Sequence, residues 1–141
     1  FSPGPGNPSH YPETQKIYHQ YKGVKKIIGI CLGFQQILYA EQGQIIAQKK
    51  IFHGYQSRIK VLNGSSLFKP NKILLGGRYH SLKLKEPFYN KNLKITMRCA
   101  ETNVAMAIED TINNVYGFQF HPDSFLTVDG KFLIQKILQA K

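Results

Sequence analysis

The stretch KKIIGICLGFQQ, residues 25–36, constrains this chain's fold more than any other. Ile27 to Ile30 form a short apolar run rich in β-branched residues, the pattern of a strand buried on both faces. From Gly33 to Gln42 the periodicity becomes helical. Phe34, Ile37 and Leu38 share one face, and Gly43 is the expected C-cap. A strand that passes through a tight turn into a helix is an α/β signal. The turn itself holds Cys31 between Gly29 and Gly33. A thiol in so cramped a corner is either a small core residue or a group presented to a substrate.

The second reading has a physical logic, because Gly29-Ile30-Cys31-Leu32-Gly33 is the thiol form of a nucleophile elbow. A sharp strand-to-helix turn pushes the central side chain out above the sheet. Glycines two residues to either side remove Cβ atoms that would collide with neighbouring backbone. The helix N-terminus is expected to favour thiolate over thiol. The N–H of Leu32 is expected to face a developing oxyanion.

A second motif, YGFQFHPDS (residues 116–124), supplies the partners such a nucleophile needs. An apolar strand, Val115 to Phe120, ends at His121, and Pro122 stops the ladder. Asp123 follows two residues on, within reach of the imidazole, whose tautomer and charge it can hold. A strand-end histidine beside a solvated aspartate is the plainer alternative. Beside the cysteine elbow, a Cys, a His and an acid at strand ends suit nucleophilic acyl transfer. Gly4-Pro5-Gly6 fits as a third part: proline stiffens the loop, and the glycines allow backbone N–H groups to approach a ligand. Alone it would read as a plain turn.

Elsewhere the pattern is different. Pro12 opens a short helix, PETQKIYHQYK, that Gly23 stops. QIIAQ, SRIKVLNG, NKILLGG, LKITMRCAETNVAMAIED and NNVYGFQF are short runs separated by turn residues. They predict an antiparallel extension of the sheet rather than further βαβ repeats. Ile95, Met97 and Cys99 are expected on one face, as are Val104, Met106 and Ile108. A last helix, about 130–140, carries Leu133, Ile134, Ile137 and Leu138 towards the sheet.

Composition narrows the function. With 141 residues the chain is expected to be one domain. No apolar run approaches the roughly 20 residues of a membrane span. The start, FSPGPGNPSH, lacks the pattern of a signal peptide. It also lacks an initiator Met and opens on a turn, so the chain is expected to begin inside a larger fold. Cys31 and Cys99 are too few for a disulfide scaffold, and a reducing cytoplasm is the expected compartment. The five histidines show no metal-ligand spacing, so no metal is expected. The net charge of +11 raises nucleic-acid binding, but the lysines are scattered and no RNA-binding aromatic motif accompanies them. An ordinary basic surface is the preferred reading.

Four motifs in order, SPGPG, GICLGFQ, RYHSL and GFQFHPDS, resemble the class I (triad) glutamine amidotransferases. HGYQSRI and RYHSL point more narrowly, to the small subunits of anthranilate synthase and aminodeoxychorismate (para-aminobenzoate) synthase. The resemblance covers essentially residues 1–141, as one amidotransferase domain. It implies a flavodoxin-like α/β fold, an open mixed sheet flanked by helices, with the family's first strands apparently lacking. It implies Cys31 as nucleophile, His121 as general base and acid, and Asp123 as the orienting acid. Gly4, Pro5, Gly6 and Leu32 would serve the oxyanion and glutamine, Gln35 the substrate's side, and Ser81 and Leu82 its amino and carboxylate groups. His53 and His80 would have structural or interface roles. The implied substrate is L-glutamine and the implied partner a chorismate-using synthase subunit, with no cofactor, nucleic acid or membrane.

Departures from the family pattern bear on activity. The family usually has Glu where Asp123 stands, and the shorter arm is expected to reach His121 less well. His is common where Phe34 stands, outside the triad. Missing first strands would leave an exposed sheet edge. The competing readings are an amidotransferase or hydrolase of another pathway and a non-catalytic, partner-binding chain of the same synthase.

Overall fold

The run Ile27–Ile30 forms β1, and the chain turns at once into α2, Leu32–Ala40, in a computed structural model that describes residues 1–140. A short 3-10 turn, Pro8–His10, and α1, Pro12–Tyr21, precede them. The other elements are β2 (Ile45–Ala47), β3 (Tyr55–Val61), β4 (Ile73–Arg78), β5 (Leu82–Leu84), β6 (Lys94–Cys99), β7 (Ala105–Asp110), β8 (Val115–Phe118) and α3 (Gly130–Gln139).

Six strands form one mixed sheet in the order β1-β8-β7-β6-β3-β4, and β2 pairs with β5 separately. Only the β1–β8 pairing in that sheet is parallel, with Ile30 opposite Phe118. The carboxyl ends of β1 and β8 therefore open at the same end of the sheet, where ligands bind in open α/β folds. β1 is an edge strand. Phe1 lies along it, donating its N–H to Ile28 O (2.7 Å) and accepting from Ile30 N (3.0 Å).

Two apolar layers cover the sheet. Tyr18 from α1 and Phe34, Ile37 and Leu38 from α2 pack with Ile27, Ile108 and Val115. Leu133 and Ile137 of α3 pack with Ile59, Met97, Met106 and Phe118. Lys26 donates to the carbonyls of Ile137 (2.7 Å) and Leu138 (3.3 Å), holding a cation at the negative end of α3.

Four local expectations are corrected. Ile95 does not share a layer with Met97 and Cys99: it packs beside α2, whereas they lie in the α3 layer. Register shifts between Ile95 and Met97 and between Met97 and Arg98 are the cause, because an extra residue reverses the alternation. Ile108 is likewise separated from Val104 and Met106. At the end of α2, Gln42 rather than Gly43 takes the left-handed conformation, with φ 65°. Gln42 N bonds to Tyr39 O and Gly43 N to Leu38 O (2.7 Å), a Schellman closure. Leu138 faces solvent, whereas Leu133 and Ile137 are buried and Ile134 packs half-buried against the same core.

The split in β6 has a measurable consequence. Met97→Ala should lower stability by about 2–5 kcal/mol, and the half-buried Ile95→Ala by clearly less. Urea unfolding of both variants checks this; equal losses would contradict the separation.

Candidate active site

Cys31 holds a backbone conformation that side chains rarely adopt, with φ 54° and ψ −102°. Such a residue carries about 1–3 kcal/mol of strain and persists only where its surroundings over-determine it. Here Cys31 N donates to Phe118 O at 2.7 Å, and Gln35 N donates to Cys31 O at 3.2 Å. The turn also needs both glycines. A Cβ on Gly29 would collide with Gly33 O, and one on Gly33 would collide with Phe1 O.

The thiol is buried. Its Sγ receives the side-chain N–H of Gln119 at 3.8 Å, and Gln35 donates to Gln119 Oε1 at 3.0 Å. Burial pushes the thiol's pKa up, the Leu32 N–H opposes this, and the Asp123 carboxylate adds to the rise. The helix N-terminus therefore does not prevail as the sequence suggested. Desolvation outweighs it, and the resting group is a thiol.

A cavity of about 180 Å³ opens over Cys31. Gly4, Pro5 and Gly6 line it, with Leu32 and Gln35 from α2, Tyr79, His80 and Ser81 from the β4–β5 connection, and Leu82 at the start of β5. Every position expected to serve substrate thus adjoins the same space as the sulfur. The Gly4–Gly6 loop is tied down by Tyr11, whose hydroxyl donates to Pro5 O at 2.8 Å. Gly6 takes φ 84°, and a Cβ there would meet His10 Nδ1 at 2.9 Å.

His121 follows β8 and is fixed through its backbone. Its N–H donates to Gly77 O (2.9 Å), and its carbonyl accepts from Thr127 Oγ1 (2.5 Å) and Ser124 N (3.2 Å). The imidazole packs edge-on against Tyr79, with ring centres 5.0 Å apart. Nδ1 lies 3.5 Å from Asp123 Oδ1, a loose contact in which the carboxylate is 68% exposed. Nε2 is buried and has no partner. Burial lowers the imidazole pKa, with Asp123 opposing, so the resting ring is neutral. Neither His121 nor Asp123 lines the cavity over Cys31; Tyr79 does, and touches His121.

Sequence reading missed Tyr79, Gln119 and Thr127. The available signal for Gln119 was an amide inside an otherwise apolar strand, two residues before His121. Among the described residues no three His, Cys, Asp or Glu side chains converge to hold a metal ion. No helix of the described residues is long and apolar enough to cross a membrane.

Comparison with known proteins identifies the family. Residues 1–140 match the family described as glutamine amidotransferase class-I. The chain is 36% identical over 140 residues to anthranilate synthase component 2 of Lactococcus lactis, spanning 98% of this chain and 70% of that relative. It is 38% identical over 141 residues to the bifunctional protein TrpGD of Thermotoga maritima, 99% of this chain but 24% of that one. In fold it resembles a glutamine amidotransferase structure from Thermotoga maritima, with TM-score 0.63 and 15% identity, over 94% of this chain and 52% of that one. A GMP synthase component from Thermoplasma acidophilum matches more closely, with TM-score 0.80 and 18% identity, over 97% of this chain and 68% of that one. The chain belongs to the class I glutamine amidotransferase family.

His80, beside the cavity, gives this region a pH signature. Burial lowers its pKa to about 4, with Arg78 and His121 adding to the fall and the Leu82 carbonyl opposing it. The folded-state value lies below the unfolded one, so the stabilisation is complete above pH 6.5 and is lost as pH falls through about 4. The loss should amount to about 3 kcal/mol, and His80→Leu should flatten that part of the profile. Urea unfolding across this pH range checks it; an unchanged slope would contradict a neutral buried ring.

Proposed function

We propose that this chain hydrolyses L-glutamine through a thioester on Cys31 and delivers the ammonia to a chorismate-using subunit that makes anthranilate. The observation that carries this reading is the strained elbow at Cys31, opening onto a cavity that Gly4–Gly6, Leu32, Gln35, Ser81 and Leu82 all line. The choice of anthranilate rests on the names of the relatives, anthranilate synthase component 2 foremost.

In the proposed reaction, Ser81 and Leu82 bind the amino and carboxylate head of glutamine and aim its carboxamide at Cys31. His121 Nε2, which has no partner in the resting site, takes the thiol proton as sulfur attacks the amide carbon. The oxyanion is held by the N–H of Leu32 and by the Gly4–Gly6 loop, each such donor being worth about 3 kcal/mol. The imidazolium then protonates the departing nitrogen, the C–N bond breaks, and ammonia leaves a glutamyl thioester. His121 next deprotonates a water that attacks the thioester carbon. Glutamate departs and the proton returns to sulfur. Starting from a neutral thiol and a neutral imidazole, the proton needs only this one acceptor, and Asp123 stabilises the cation formed. The expected compartment is the cytoplasm, where a free thiol stays reduced.

One observation favours a weaker role for Asp123 than a buried orienting acid has: its carboxylate is largely exposed and 3.5 Å from Nδ1. Exposed pairs contribute about 0–1 kcal/mol. Asp123→Ala should therefore lower kcat less than about tenfold, whereas His121→Ala should lower it about 10²–10⁴-fold. Cys31→Ala should abolish glutamate release. Glutamate and ammonia release, measured with and without the synthase subunit, test all three. A wild type inactive even with its partner would favour a chain that only binds.

A further inference from the structure

Arg78 is wholly buried, yet no carboxylate of the described residues pairs with it directly. Its guanidinium carbon lies over Phe52, 3.5 Å from the ring centre. Nη1 reaches Ser57 Oγ and Cys99 Sγ, both at 3.3 Å, and Nη2 has no partner. Cys99 in turn donates to Glu101 Oε2 at 3.1 Å, so this carboxylate reaches the cation through a thiol. A buried cation so weakly compensated is costly, and an apolar residue of similar volume would often serve stability as well or better. Packing alone therefore does not account for an arginine here.

The remaining donor leads to the cavity. Arg78 Nε–H donates to His80 Nε2 at 3.0 Å, which leaves the proton of the neutral ring on Nδ1. Nδ1 then donates to the carbonyl of Leu82 at 2.8 Å. The backbone between them is held by Gln48, whose N–H donates to Ser81 O (2.9 Å) and whose side chain donates to His80 O (2.7 Å). One rigid fork in the core thus sets the tautomer of His80 and anchors the strap that carries Ser81 and Leu82.

We infer that Arg78 is a positioning residue: through His80 it fixes the Ser81–Leu82 strap for the amino-acid head of glutamine. This rests on the function proposed above. The arginine acts at the binding end of the substrate and not at the sulfur, so its loss should weaken glutamine binding before and during the reaction alike. That pattern raises KM and spares kcat.

The test uses the full chain with its synthase subunit. Arg78→Met keeps the length and an apolar contact with Phe52 and removes the fork. It should raise KM for glutamine by about tenfold, as expected when a charge-assisted hydrogen bond is lost, with kcat within about threefold. Alkylation of Cys31 by iodoacetamide, which lacks an amino-acid head, should keep its rate. Alkylation by a glutamine-shaped diazoketone should slow by the same factor as KM rises. If Arg78→Met does not fold, His80→Leu reads the same link with the cation left in place. Unchanged KM and diazoketone rates, or equal slowing by both reagents, would overturn the inference. A wild type that neither hydrolyses glutamine nor reacts with the diazoketone would instead overturn the proposed function.

Discussion

The hydrogen bond from Cys31 N to Phe118 O is the contact on which the site depends. It closes the parallel pairing of β1 with β8 at the point where β1 turns into its helix. Two motifs far apart in sequence thereby emerge at the same end of the sheet. An antiparallel pairing at this position would have sent the chain after Phe118 to the opposite end, away from Cys31. The glycines at 29 and 33 let the backbone close around the turn, and Phe1 fills the room that Gly33 leaves. Fold and reactivity meet in one small piece of backbone geometry.

Resting electrostatics follow from the same enclosure. Burial raises the pKa of Cys31 and lowers that of His121, so the pair rests uncharged. Two uncharged groups avoid the desolvation penalty that buried ions would carry. In the proposed reaction, charge appears only when glutamine occupies the cavity and oxyanion donors are ready to receive it. The charges that make up the +11 serve other ends: Lys26 caps α3, and Lys22 pairs with Glu41, which also accepts from Tyr18 at 2.7 Å.

What could be read from sequence was what depends on near neighbours. The elbow announces itself through Gly29 and Gly33 and α1 through Pro12, because each imposes its geometry within a few residues; β8 ends at Phe118, before the Phe120 expected from Pro122, and His121 keeps only an isolated bridge to Gly77. What escaped depends on contacts across the sheet. The bulges near Met97 are set by pairing with β7, so the alternation of Ile95, Met97 and Cys99 looks unbroken in sequence. Gln42 shows that a Schellman closure can hold a non-glycine residue when its two hydrogen bonds and the packing of α2 require it. The direction of the thiol's pKa shift escapes for a related reason: a helix N-terminus is visible in sequence, but the depth of burial is not. The candidate site itself is legible as a set of residues, while Tyr79, Gln119 and Arg78 become visible only through what they touch.

The central claim is that the sulfur of Cys31 bonds to the carbon of a glutamine side chain. Rapid acid quenching of the chain with its synthase subunit during turnover, followed by mass analysis of its peptides, tests this directly. The account predicts a glutamyl adduct on the peptide containing Cys31 that hydroxylamine removes. Release of ammonia at full rate with the Cys31 peptide unmodified at every quench time would contradict it.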